Sequence, residues 1–202
     1  MSAWIKMISD DEADEELTEV LNLARTPHGT VDNVMRVHSL RPNTMRGHVI
    51  LYRAALHDDA NTIPMWFQET ISSYVSILND CNYSYANHWK NAAHLIGDQA
   101  KATHIEKALL SRKPDLHFSG GELAMLNYAE KLTTSPGEMT ESDVSDLKFH
   151  KIDDGQILEL NQIVGYFNYV NRLLNGLGVT TSGDTVGSVS YTHLTLPTIL
   201  LV

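Results

Sequence analysis

The sequence predicts an all-α fold. Apolar residues recur at helical spacing through most of the 202-residue chain, and capping residues, prolines and glycines separate the periodic segments. Strand signals are almost absent before residue 179. The length suits one domain. We place this helical domain at residues 1–180, with its most informative segment at about 40–132.

Capping residues mark where the helices begin and end. Residues 9–12 form a capping box ahead of a first helix that stops near Pro27. Further helices are predicted at 31–39, 42–57, 64–78, 81–96, 99–111, 119–132, 140–149 and 154–177. Gly97 and Gly178 stand where two of these helices should end.

The C-terminal residues depart from the helical pattern. Residues 188–202, SVSYTHLTLPTILLV, are β-prone, apolar and free of charged side chains. They resemble the translation of a sequencing-adaptor sequence, and such an uncharged apolar tail is an aggregation liability. We therefore leave them out of the fold prediction and expect residues 181–202 to be disordered or non-native. The alternative is a genuine apolar arm that packs on a partner.

Composition limits the classes of partner. The net charge is −10 and Lys and Arg are not clustered, which argues against a nucleic-acid partner. A single cysteine permits no internal disulfide and fits a reducing, cytoplasmic location. The N-terminal residues turn acidic too soon for a signal peptide, and no apolar run approaches the roughly 20 residues that span a bilayer. We expect no membrane association.

The segment 69–88, ETISSYVSILNDCNYSYANH, carries the candidate chemistry. Cys81 stands at the start of a predicted helix, where thiol pKa values fall, and Ser84 and His88 follow on the same helical face. Two turns, roughly 10 Å, separate Cys81 from the imidazole that could act as its base. Ser84 is the nearer hydrogen-bond partner of His88, and a water could complete a relay to the thiol.

Glu69 lies on the preceding helix among apolar neighbours. If it is buried, it can orient His88 and fix the tautomer of the imidazole. The alternatives are a solvated surface glutamate, an inert buried thiol at Cys81 and a histidine that is simply one of ten. The histidines lack the spacing of common metal sites, and we expect neither a metal nor a cofactor.

These residues and spacings resemble the motif of the alkylhydroperoxidase D / carboxymuconolactone decarboxylase superfamily, in its peroxidase-related branch. That motif has a glutamate, a cysteine twelve residues later, a second cysteine three residues on and a histidine four residues after that. Glu69, Cys81, Ser84 and His88 occupy the four positions. Segments 39–52, 128–133 and 165–177 also resemble this branch, so that the resemblance covers roughly residues 30–180.

The resemblance implies a homo-oligomeric all-α domain with peroxidase activity. In the family's peroxidases, the glutamate and histidine relay protons to the second cysteine, which attacks the peroxide and is then resolved by the first. Here the second position is Ser84, whose hydroxyl cannot become a sulfenic acid. The leading hypothesis is an antioxidant peroxidase that reduces organic hydroperoxides or hydrogen peroxide through Cys81, with Glu69 and His88 as proton relay. Ser84 would supply a hydrogen bond, and an external thiol or dithiol would act as reductant.

Two other functions stay open. The chain could be a non-redox lyase of the carboxymuconolactone decarboxylase type that uses Glu69 and His88 as acid and base. It could also be a catalytically silent oligomer, and Ser84 could be a sequencing error. The predicted last helix is unusually apolar, which favours an oligomer. Its apolar residues are Ile163, Val164, Tyr166, Phe167, Tyr169, Val170, Leu173 and Leu174.

Overall fold

The computed structural model describes residues 2–26 and 28–187, and this part of the chain is all α, as predicted. It contains nine α-helices, short 3-10 helices and no strand. The α-helices are α1 (Glu15–Ala24), α2 (Asn33–Arg36), α3 (Pro42–Leu56), α4 (Met65–Leu78), α5 (Asn82–Ile96), α6 (Gln99–Leu110), α7 (Gly120–Thr134), α8 (Glu141–Phe149) and α9 (Asp154–Leu177). The 3-10 helices are Asp10–Glu12, Pro114–Leu116 and Pro136–Glu138.

Helix α4 runs through the core of the domain. It packs against α5, α9 and α7, and nearly all of its residues are buried, including several with hydroxyl side chains. The serine and threonine hydroxyls donate to the carbonyl four residues earlier, at Thr70, Ser72, Ser73 and Ser76. The hydroxyl of Tyr74 donates instead to the carboxylate of Glu130 in α7, at 2.6 Å. Because the serine and threonine bonds are made within the helix, its polar residues can be buried without unpaired hydroxyl groups.

The packing of helix α9 removes one argument for an oligomer. Its apolar side chains suggested more apolar surface than one chain could cover, yet most are buried against α3, α4 and α7. Phe167 is fully buried, whereas Tyr169 keeps 43% of its surface exposed. The composition of α9 is therefore explained within one chain. Homo-oligomer formation stays a prediction that rests on the family resemblance.

The residues that follow α9 fold back over α2 and α5. Asp184 accepts hydrogen bonds from the Tyr83 hydroxyl and from the backbone N–H of Asn33, and the Lys90 ammonium donates to the carbonyl of Val186 at 2.8 Å. Burial raises the pKa of the Asp184 carboxyl. The predicted tail began at residue 181, but residues 181–187 pack on the helical domain. The remainder of that tail, 188–202, lies outside the described residues.

A chain of buried polar side chains joins α2, α3 and α9. His38, just beyond α2, is 2.9 Å from His48 of α3 (Nε2 to Nδ1), and His48 Nε2 is 2.8 Å from the hydroxyl of Tyr166 in α9. His48 is 2% exposed. Burial, with a smaller contribution from His38, lowers the pKa of His48 to about 3. Both imidazoles are therefore neutral at pH 7, since burial also lowers the pKa of His38.

This burial predicts a loss of stability in acid. An unfolded histidine binds a proton near pH 6.5, whereas folded His48 does so only near pH 3, so the unfolded state gains protons first as the pH falls. We expect His48 to lower the free energy of unfolding by about 2 kcal/mol between pH 7 and pH 5. Urea titrations at both pH values measure this difference.

A matched pair of variants isolates the contribution of His48. His48→Gln should lose that part of the pH dependence, and the exposed His94→Gln should keep the wild-type difference. Equal pH dependence in both variants would contradict a neutral, buried His48.

Candidate active site

Glu69 is a buried carboxylate with two partners from the next helix. It projects from α4 and is 4% exposed, so that an unpaired charge there would be costly. His88 Nδ1 lies 2.6 Å from Oε2, and the side-chain amide of Asn91 donates to Oε1 at 3.2 Å. Both partners stand on one face of α5, three residues apart. The glutamate and histidine that the sequence paired are thus in direct contact.

The contact with Glu69 sets the chemistry of His88. An ionised carboxylate only accepts hydrogen bonds, so Nδ1 carries the proton that it receives. In the neutral ring this leaves Nε2 as the basic nitrogen, oriented by the carboxylate behind it. The ring of Phe167 packs edge-on against the imidazole with 4.6 Å between centroids. His88 is therefore fixed on two sides and can exchange a proton through Nε2.

Ser84 has a different partner from the one expected. Its hydroxyl is hydrogen-bonded to the hydroxyl of Ser76 in α4, with 2.8 Å between the oxygens. The sequence suggested a hydrogen bond to His88 instead. Ser84 is 2% exposed, and Ser76 also receives a hydrogen bond from the Asn171 amide at 3.4 Å. This serine is thus tied into the contacts between α4, α5 and α9.

Cys81 caps the N-terminus of α5 but does not have the lowered pKa that this position suggested. The residue is 1% exposed and belongs to the main hydrophobic core. Burial raises the pKa of the thiol above its ordinary 9.0, and this outweighs opposing hydrogen bonds from the backbone of Ser84, the side chain of Asn171 and the backbone of Tyr83. Desolvation disfavours the thiolate more than the helix terminus favours it.

A cavity of about 810 Å³ opens beside these groups. Ser84 and His88 form part of its wall, together with Tyr166 of α9 and His57 at the end of α3. Other parts of the wall come from α4, α5, α9 and the segment after α9, through residues that include Met65, Gln68, Tyr83, Asn87, Asn91, Val170, Leu174 and Thr185. Neither Cys81 nor Glu69 belongs to this wall. The cavity therefore presents the serine and the histidine of the motif, with the carboxylate behind the histidine and the thiol in the core.

Sequence reasoning missed several residues around this cavity. Asn91 could have been found, because it stands three residues after His88 and so shares its helical face. Tyr166 was assigned to an apolar surface, and His48 was one of several scattered histidines. His57 lines the cavity, and burial is the main cause of its lowered pKa. No local spacing connects residues from α3 and α9 with the motif on α5.

Two kinds of feature are absent from the part of the chain that the structure describes. Among residues 2–26 and 28–187, no group of three or more His, Cys, Asp or Glu side chains is placed to hold a metal ion. None of the helices in this part of the chain is both long and apolar enough to cross a membrane.

Solved structures of similar fold come from peroxidase-related proteins. An uncharacterised peroxidase-related protein with an alkylhydroperoxidase AhpD core, from Ralstonia eutropha JMP134, has a TM-score of 0.77 and 19% identity over 90% of this chain and 93% of its own. An uncharacterised peroxidase-related protein from Silicibacter sp. TM1040 has a TM-score of 0.74 and 20% identity over 91% of this chain and 95% of its own. The chain therefore has the alkylhydroperoxidase D fold, which confirms the resemblance seen in the sequence.

A third neighbour is a debrominase. The debrominase Bmp8, as a cysteine-to-alanine variant in complex with 2,3,4-tribromopyrrole, has a TM-score of 0.71 and 16% identity over 91% of this chain and 94% of its own. No family model and no curated protein matches the chain. At identities of 16–20%, the neighbours show the fold and leave the reaction open.

The raised pKa of Cys81 predicts a slow reaction with alkylating reagents. In the folded protein we expect iodoacetamide to react at pH 8 at least about tenfold more slowly than in the urea-denatured protein, because burial disfavours the thiolate. Intact mass against time at a series of pH values measures this rate. The midpoint of the pH profile should lie above the ordinary 9.0. A midpoint below that value would contradict the assignment.

Proposed function

We propose that this protein is an acid–base enzyme that acts on a small organic substrate in the cavity, with His88 as the proton-transfer group and Glu69 as its partner. The observation that carries the proposal is the hydrogen bond between Glu69 and His88 at the cavity wall, at 2.6 Å. The reaction class is a non-redox lyase of the carboxymuconolactone decarboxylase type. The alkylhydroperoxidase D fold supports this class without deciding between it and redox chemistry.

The pair suits a reaction in which one proton moves. In a decarboxylation the bond between carbon and carboxylate breaks, carbon dioxide leaves, and the electron pair stays on the substrate carbon. That carbon then takes a proton, which the imidazolium form of His88 can deliver from Nε2. Glu69 stabilises the imidazolium because its carboxylate stays within hydrogen-bond distance of Nδ1. His88 returns to the neutral tautomer that the carboxylate selects.

This function needs no thiol in the cavity. Ser84 occupies the wall position where the family's peroxidases place a cysteine, and the raised pKa of Cys81 keeps the buried thiol protonated at neutral pH. In this proposal Cys81 contributes packing at the start of α5. Ser84 contributes a hydroxyl oxygen that can accept a hydrogen bond from a bound substrate, because its proton is used in the hydrogen bond to Ser76.

Loss of either member of the pair should slow the lyase reaction. With 4-carboxymuconolactone as substrate in D₂O, we expect carbon dioxide release and incorporation of one deuterium, followed by NMR. His88→Asn and Glu69→Gln should each reduce the rate by about 10²–10⁴-fold, since each removes a part of the proton-transfer pair. Cys81→Ser should keep wild-type activity.

The matched control is His94→Asn, because His94 is an exposed residue on the same helix. It should leave the rate unchanged. An active wild type whose rate survives His88→Asn would overturn the assignment of the acid–base pair.

Thiol peroxidase activity through Cys81 is the second candidate. The observation in its favour is the place of Cys81 as the N-cap residue of α5, where the backbone of Ser84, the side chain of Asn171 and the backbone of Tyr83 each act to lower the pKa of the thiol. Each of them favours the thiolate, and the residue starts a helix. A movement that opens α5 toward the cavity would be required, since the thiol is 1% exposed.

The peroxidase step would proceed without a metal or organic cofactor. The Cys81 thiolate attacks the terminal oxygen of a hydroperoxide, the O–O bond breaks, and the alcohol leaves after it takes a proton from His88. The sulfur is oxidised to a sulfenic acid, and two electrons reduce the peroxide. An external thiol or dithiol then reduces the sulfenic acid and releases water.

Cumene hydroperoxide separates the two candidate functions. If Cys81 is a peroxidase, stoichiometric peroxide adds one oxygen to the protein within seconds, a sulfenic-acid trap captures it, and Cys81→Ser shows neither product. The acid–base proposal instead predicts an unchanged mass over minutes. Ser84→Cys is the positive control, because it restores the family's two-cysteine motif and should yield a disulfide on treatment with peroxide.

A further inference from the structure

The contacts of Thr44 favour one direction of hydrogen bonding along the polar chain from Tyr166 to Thr44. When the Thr44 hydroxyl donates to the carbonyl of Arg41, 2.8 Å away, its oxygen accepts from Nδ1–H of His38 at 2.9 Å. A neutral imidazole has one N–H group. Nε2 of His38 must therefore accept from Nδ1–H of His48, at 2.9 Å.

The same direction of hydrogen bonding continues from His48 to the cavity. Once Nδ1 of His48 is a donor, its Nε2 must be an acceptor, and it accepts from the Tyr166 hydroxyl at 2.8 Å. All the protons in this chain thus point away from Tyr166. The two imidazoles are buried, Thr44 is exposed, and Tyr166 belongs to the cavity wall. The chain therefore leads from the cavity to the outer surface of α3.

We propose that Tyr166, His48 and His38 form a proton relay that connects the cavity with solvent at Thr44. A proton from the cavity binds the Tyr166 oxygen as the hydroxyl proton moves to His48 Nε2. The Nδ1 proton of His48 then moves to His38 Nε2, and the Nδ1 proton of His38 leaves to water beside Thr44. One proton enters and one leaves, and each imidazole changes tautomer without gaining a charge.

The electrostatics of the chain suit a concerted transfer. Burial holds the pKa of His48 near 3 and lowers that of His38, so that neither ring keeps an extra proton at pH 7. Burial, with smaller contributions from Tyr169 and Glu69, keeps the pKa of Tyr166 well above its ordinary value, so that the phenol does not lose its proton outright. A proton can therefore move along the chain only as another one replaces it.

The role of this relay in turnover rests on the proposed function. Glu69 and His88 exchange a proton with the substrate inside the cavity, and the reaction needs a way to restore their protonation state. Phe167, which packs edge-on against His88, follows Tyr166 directly in α9. Adjacent residues of α9 thus contact His88 and form the entrance of the relay, which places that entrance near the acid–base pair. The relay would let the cavity exchange protons with solvent while a substrate fills it.

Tautomer exchange in the full-length protein tests the relay without any substrate. NMR of protein with ¹⁵N-labelled histidine should find His38 and His48 mainly in the Nδ1–H form, with a minor Nε2–H form that both rings visit at one common rate. Tyr166→Phe and Thr44→Val should each lower that rate at least about tenfold, because they remove the two ends of the chain. Tyr169→Phe is the control, since this half-exposed ring touches His48 from the side and should leave the rate unchanged.

Each outcome of these NMR measurements either supports or contradicts the relay. Fixed tautomers, unequal rates in the two rings, or a rate that survives both Thr44→Val and Tyr166→Phe would overturn the relay. Thr44→Val changes an exposed residue, so it keeps the test valid if Tyr166→Phe folds poorly. Common exchange in a protein that shows no decarboxylase activity would support the relay and reject the proposed function. Where turnover is present, Tyr166→Phe should slow it and added imidazole should restore it.

Discussion

The buried carboxylate of Glu69 is the constraint on which the site depends. An ionised group in the core requires partners that offset its desolvation, and α5 supplies both of them on one face, through His88 and Asn91. This requirement fixes the rotation of α5 relative to α4. That rotation in turn directs His88 and Ser84 to the cavity wall and leaves Cys81 in the core. The partners that Glu69 requires thus determine which side chains of α5 face the cavity.

Polar groups are numerous in this core, yet they are organised differently on the two sides of the cavity. On α4 the serine and threonine hydroxyl groups donate to carbonyls of their own helix, so that α4 needs few outside acceptors. The histidines of α2 and α3 instead depend on each other and on Tyr166, so that their protonation is set by a chain of bonds between helices. The first arrangement favours stability and the second favours movement of protons.

Local signals predicted the helices and part of the site. Caps and prolines placed the ends of the helices within a few residues, because they satisfy or remove terminal N–H groups whatever the tertiary packing. The spacing from Glu69 to His88 was informative because both lie on adjacent helices joined by a short connection. The state of Cys81 was not predictable, since the helix terminus acts locally whereas burial depends on the whole core. Tyr166 stands 118 positions from His48, and no periodicity links them.

The positions of these contacts in the chain also set the order in which the site can form during synthesis. Glu69 and His88 are 19 residues apart, whereas Tyr83 and Asp184 are 101 residues apart. At roughly 5–20 residues per second, the ribosome delivers the first pair within a few seconds and the partner of Tyr83 many seconds later. A nascent chain can therefore bring α4 and α5 together before the residues that cover the cavity from α9 onward have been made.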